Sequence, residues 1–191
     1  MNAAHIEQTI NRYVEWVLRH WVAVASVWAA LVVVGAVVTP LLAANGYDTA
    51  SWLLYTVYRV ICPQRPSHSW FIEGYKMGFE QRDTAMFVAG ALAGPLYILA
   101  KRLGFRQLSG KAALLLTVPM LYDVFSQMIG LRDSDGFWRS VTGSLAVFGM
   151  AGWLYPRIDS DFRAGLAKLE HARRARQSQA ALGPLPPGGG G

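Results

Sequence analysis

Cysteine is nearly absent. Cys62 is the single one in 191 residues, so no internal disulfide can form. Charge is scarce as well, at 16% of residues, where a soluble domain carries about a quarter. The deficit lies in long uncharged stretches, which argues against a soluble domain and for a membrane protein. No Walker loop, dinucleotide fingerprint, zincin motif or haem-attachment motif occurs, so no cofactor and no metal is assigned. No basic-aromatic motif of an RNA or DNA module is present either. The net charge of +6 is read as basic cytoplasmic loops, with no nucleic-acid partner. The first apolar segment exceeds a signal-peptide core and lacks a small-x-small cleavage site, so it reads as a retained helix.

What is present is apolar and aromatic. Apolar residues make up 53% of the chain, and its seven Trp and eight Tyr fit interfacial anchoring. The pattern predicts an all-α, polytopic membrane bundle of about four transmembrane helices with interfacial amphipathic helices. Residues 1–20 place Ile6, Ile10, Tyr13, Val14 and Val17 on one face, an amphipathic helix at the membrane surface. Residues 21–156 form the four-span domain, with spans at 21–42, 84–100, 112–129 and 140–155. Pro40 and Asn45-Gly46 mark the end of the first span, and Pro156-Arg157 stops the fourth. Residues 47–61 read as a short interfacial helix. Gly90 and Gly94 allow close helix approach in the second span. Residues 157–178 form a basic cytoplasmic helix, and 179–191 a disordered Pro/Gly tail.

With the N-terminus inside, cytoplasmic segments hold twelve of the eighteen Lys and Arg, and outer segments six. This count predicts a multi-pass protein of the cell (inner or plasma) membrane with both termini cytoplasmic. The six outer cations sit among carboxylates in two segments, 59–84 and 119–143. Asp123 is the most telling residue there. It interrupts an apolar run, where an ionisable group is costly unless paired or wet. Gln127 follows on the same helical face. A cation partner is expected among Arg65, Arg82, Arg132 and Arg139. Glu80 and Asp83, three apart at the start of the second span, share a face and read as caps, arginine partners or ligands of a hard cation. Cys62 and His68 are secondary candidates; without a third orienting residue they make no catalytic case.

These same segments resemble a known family, the bacterial membrane proteins of domain of unknown function 2085, over roughly residues 55–150. The first match is carried by Cys62, Gln64, Arg65, Pro66, Ser67, Ser69, Trp70-Phe71, Gly74, Met77, Arg82 and Thr84. The second is carried by Pro119, Met120, Asp123, Gln127, Gly130, Arg132, Ser134, Arg139, Thr142 and Gly143. The resemblance implies a helical membrane protein of undetermined activity. The family pattern opens Cys-His-Gln and later carries Cys-x-x-Cys. Here Pro63 follows Cys62, and Glu80 and Asp83 stand at the later pair. A soft-metal site is therefore not expected in this member.

The candidate cluster is Arg65, Glu80, Arg82, Asp83, Asp123, Gln127, Arg132 and Arg139, with no catalytic set assigned. Three roles fit it. The leading one is an accessory or structural subunit of a membrane assembly, with the lipid bilayer, membrane-protein complex partners or a homo-oligomer as partners. The second is a membrane enzyme or carrier that clamps an anionic ligand, such as a lipid headgroup, with its arginines. The third is ion or metal handling through the carboxylates. The sequence leans against an enzyme.

Overall fold

The computed structural model describes residues 3–181. Five α-helices, one short 3-10 helix (Pro66–His68) and one two-stranded sheet make up the regular structure among these residues. Helix α1 is Ala3–Ala44, α2 Asp48–Arg59, α3 Gln81–Arg102, α4 Gly110–Met128 and α5 Gly136–Ala181. Strands β1 (Ser69–Ile72) and β2 (Tyr75–Glu80) lie between α2 and α3 and pair antiparallel. The 182–191 part of the expected Pro/Gly tail lies outside the described residues; 179–181 continue α5.

The chain divides into two compact units. The smaller consists of Met1–Trp21 and Arg157–Gly191. In it, Arg19 pairs with Glu170 at 2.7 Å and Arg173 with Glu15 at 2.6 Å. Trp21 meets Phe162 edge to face. The larger, Val22–Pro156, holds both polar segments. Its buried apolar cluster is Ala36, Tyr58, Cys62 and Phe79. The Phe79 ring stacks on Phe87 and meets Tyr58 at an angle, so the hairpin, α2 and α3 share one apolar core.

Three expectations are corrected here. First, two helices rather than four are long and apolar enough to cross a membrane among the described residues: Thr9–Ala44 of α1 and Gln81–Arg102, which is α3. Lys111, Asp123 and Gln127 dilute α4, and Arg139, Ser140, Thr142 and Ser144 dilute the first part of α5. Second, the fold is not purely helical, because the polar stretch after α2 forms the hairpin. Its turn, Glu73-Gly74, has φ of 51° and 80°. That places both central residues in the left-handed region that a two-residue hairpin turn of this hand demands. Third, α5 does not stop at Pro156. A proline lacks the N–H that would reach the carbonyl four residues back, here that of Gly152. The Leu108 N–H donates to this carbonyl at 3.1 Å, and Gln107 Nε2 donates to the next one, Trp153, at 3.0 Å. The loop after α3 thus supplies the missing donor, and the helix runs on.

Helix contacts in this unit use small residues. A Cβ at Gly94 would stand 2.9 Å from Val22 Cγ1, so α1 and α3 touch backbone to side chain there. A Cβ at Gly149 would stand 2.8 Å from Leu116 Cβ, which sets the approach of α5 to α4.

Candidate functional site: an ionic cluster with an arginine-lined cavity

The chain leaves α2 and turns at once. Cys62 N–H donates to the Tyr58 carbonyl at 3.0 Å, and Gln64 adopts a left-handed φ of 57°. This turn aims Arg65 back at the end of β2. Its backbone N–H and its Nε donate to Glu80 Oε1 at 2.9 and 3.1 Å, and its terminal NH2 to Oε2 at 3.3 Å. Glu80 stands at the N-cap position of α3 but makes no side-chain cap. Its backbone is extended and its carboxylate is turned to Arg65, so of the expected roles it takes that of arginine partner and not that of cap. Burial alone would raise this carboxyl. The Arg65 hydrogen bonds and charge outweigh it and hold Glu80 below its ordinary value.

Asp123 is buried on α4, and an NH2 nitrogen of Arg82 lies 2.5 Å from its Oδ2. Ser134 Oγ donates to the same oxygen at 3.1 Å, and Gln127 Nε2 lies 3.1 Å from it and 2.9 Å from Ser134 Oγ. Asp123 Oδ1 and Arg82 Nε are buried with no hydrogen-bond partner among the described residues. Arg139, also buried, donates to Asp133 at 2.6 Å and to Gln81 Oε1 at 3.2 Å. His68 lies between Glu80 of its own segment and Asp133 of the other, with Nδ1 3.6 Å from Glu80 and Nε2 3.8 Å from Asp133. Both distances exceed a hydrogen bond. Burial, then the cations Arg139 and Arg65, outweigh the two carboxylates and hold the imidazole below its ordinary value. Segments 62–84 and 119–143 therefore meet through named contacts.

Two members of the expected cluster stand apart from these pairs. Asp83 takes the thiol hydrogen of Cys62. Burial, with that hydrogen bond second, pushes the Cys62 thiol up to about 12. Backbone N–H groups of Glu80 and Gln64 bond to the sulfur and act in the opposite direction. Cys62 Sγ and one oxygen each of Glu80 and Asp83 lie within 4.8 Å of one another. A metal there would need the thiol deprotonated and Glu80 released from Arg65. Arg132 is exposed, and no carboxylate partner of it is recorded among the described residues.

Between these groups lies a cavity of about 330 Å³, lined chiefly by Arg65, His68, Arg82, Gln127, Arg132 and Asp133. Three guanidinium groups from three different stretches of chain face one space. Sequence reasoning missed Asp133, Ser134 and Gln81 as parts of the cluster. Asp133 carried no signal, since a loop acid is ordinary. Ser134 stood out only through the family resemblance and Gln81 not at all; their place in the cluster follows from the contacts of Ser134 with Asp123 and of Gln81 with Arg139.

The profile of a family described as "Predicted membrane protein (DUF2085)" matches residues 62–153, the stretch holding every member of the cluster. An uncharacterized protein of Methanocaldococcus jannaschii is 33% identical over 113 residues, 59% of this chain and 72% of its own. An uncharacterized protein of Methanothermobacter thermautotrophicus is 30% identical over 94 residues, 49% of this chain and 84% of its own. Both relatives are archaeal, so the similarity extends outside the bacterial members expected. No solved structure matches. The chain belongs to this family of membrane proteins.

Proposed function

We propose that α4 and the first part of α5, whose Asp123 and Arg139 are buried in the ionic cluster, cross the bilayer beside the two more apolar helices, giving four spans with both termini cytoplasmic, and that the arginine-lined cavity, on the opposite side, receives an anionic group. One observation carries the ligand reading: Arg65, Arg82 and Arg132 line a single cavity together with Gln127. Arg65 and Arg82 spend part of their donors on Glu80 and Asp123. Their remaining N–H groups are free to bind. Arg132 brings a charge with no recorded partner among the described residues. A phosphate or carboxylate accepts several such N–H groups at once, and guanidinium groups match that geometry better than ammonium groups do.

The test is a titration of the purified full chain in detergent with sodium phosphate, against sodium chloride at equal ionic strength. Thermal unfolding is the readout. Phosphate raises the midpoint of the wild type, and Arg132→Ala, which disturbs no recorded ion pair, loses most of that rise. Equal midpoints in phosphate and chloride overturn the reading.

An accessory role has its own support. Trp70, Phe71 and Tyr75 of the hairpin are 41%, 56% and 46% exposed beside the ionic cluster. Aromatic residues are enriched at interfaces with other proteins, so this edge suits a membrane-protein partner or a second copy. Co-purification in gentle detergent that is lost on Phe71→Ser favours this reading over the first.

A further inference from the structure

The inference below rests on the anionic-cavity reading and names the class of ligand. We propose that the occupant is a phosphate-headed lipid of the bilayer, its headgroup among the arginines and one acyl chain lying along α4. The arginine-lined cavity does not stand alone. Val124 and Met128 line it and also line a second, apolar hollow of about 510 Å³. The other walls of that hollow are Met120, Leu121, Tyr122 and Phe125, all on α4. The two spaces therefore share a rim, polar on one side and apolar on the other.

The layout matches an amphiphile. Met120, Val124 and Met128 recur every fourth residue, so they form one row along the helix. From Met120 to Met128 the row is roughly 12 Å long at 1.5 Å per residue. Leu121, Phe125 and Met128 are 53%, 62% and 78% exposed, so the hollow is open along its length. The arginines stand at the C-terminal end of the same helix, where its chain turns at Gly130 toward Arg132. In a spanning helix that end meets the headgroup layer. A lipid of the same leaflet could then present its phosphate to the cavity while its chain stays among apolar side chains. A free phosphate would use only the polar half. A zwitterionic lipid would bring its own cation against three arginines, so net negative charge is selected.

The experiment uses the purified full chain and two probes with one headgroup. Dioctanoyl phosphatidic acid carries the chains, and glycerol phosphate lacks them. Bound adducts are counted by native mass spectrometry. The wild type retains the lipid at concentrations at least tenfold below those needed for glycerol phosphate. Val124→Trp, which fills the shared rim, lowers lipid retention tenfold or more, whereas Leu121→Asp, at an exposed wall of the apolar hollow alone, lowers lipid retention and leaves glycerol phosphate unchanged. Met128→Asp, at an exposed position that does not threaten folding, acts in the same direction. Arg132→Ala weakens both probes. Equal affinity for the two probes, or full lipid retention in both rim variants, overturns the lipid assignment while the anionic cavity stands. Failure of both probes to bind overturns the cavity reading as well.

Discussion

At the scale of single residues, the Asp123–Arg82 pair decides how the polar end is held. The Asp123 side chain is 3% exposed and that of Arg82 is 15% exposed. Removing one partner of such a pair strands the other charge, which costs more than the pair contributes. Asp123→Asn therefore destabilises by about 3 kcal/mol in a detergent unfolding titration. The paired replacement Arg82→Leu with Asp123→Leu loses less than either single leucine variant, because no charge remains stranded. Additive losses would show that the two do not act as a pair. A pH dependence arises from Glu80 and His68. Both have folded values below the ordinary 4.5 and 6.5. Each contributes stability that is complete above its ordinary value and is lost as pH falls toward its folded one. The wild type thus weakens in two stages on acidification. In Arg65→Gln the burial of Glu80 is opposed only by the backbone N–H of residue 65 and by His68, so its stage flattens or reverses, while the His68 stage, still set by burial and Arg139, shrinks but remains. Identical acid profiles would refute this. Asp123 was legible in the sequence because a carboxylate interrupts an apolar run. Arginine pairing of Glu80 was among the sequence's readings, but Arg65 as the partner was not singled out, since three-residue spacing from Asp83 suggested a helical face. The extended backbone at Glu80 depends on the hairpin, which the spacing does not encode.

At the scale of elements, apolar runs announced the helices, and the short α2 was separable by its Asn45-Gly46 boundary and its length. The hairpin was hidden. Its turn is Glu73-Gly74, whereas the strong two-residue signals are Asn-Gly and Asp-Gly. Its register also slips between Ser69 and Phe71, which blurs alternation along β2. Pro156 misled for a physical reason, because the donor that rescues the Gly152 carbonyl comes from Leu108, over forty residues earlier. Helix packing offers a sharper test. At Gly149 an added Cβ meets Leu116 Cβ at 2.8 Å and the Ala113 carbonyl at 3.2 Å, and neither is the movable end of a side chain. At Gly90 the nearest atom is Ala29 Cβ at 3.6 Å, an ordinary contact. Gly149→Ala is expected to lose about 1–3 kcal/mol through overpacking. Gly90→Ala is expected to be neutral or to gain up to about 1 kcal/mol from helix propensity. Equal effects of the two in the same unfolding titration would mean that α4 and α5 do not pack as closely as described.

At the scale of the whole molecule, the question is which side of the membrane the cavity faces. Alternating sides for four spans would bring the hairpin and the loop between α4 and α5 together, and the Arg82–Asp123 and Arg139–Gln81 contacts join the chain on either side of them. The loop between α3 and α4, with Lys101, Arg102, Arg106 and Lys111, would lie opposite. Basic loops remain on the cytoplasmic side, so the proposed topology, which puts twelve of eighteen cations inside, follows the usual orientation. The six outer cations do not reverse it, because Arg65, Arg82 and Arg139 are paired with carboxylates within the cluster. Cysteine labelling can read this directly, since native Cys62 is 1% exposed and gives little background. Positions 106 and 135 are both exposed. In intact cells an impermeant maleimide should label Asp135→Cys, and it should reach Arg106→Cys only after permeabilisation. Reversed labelling would put the cavity in the cytoplasm, and labelling of both from one side would remove the span between them. Reversed labelling would place the lipid partner in the inner leaflet, and loss of the span would take the end of α4 out of register with a headgroup layer, so the labelling pattern constrains the ligand as well as the topology.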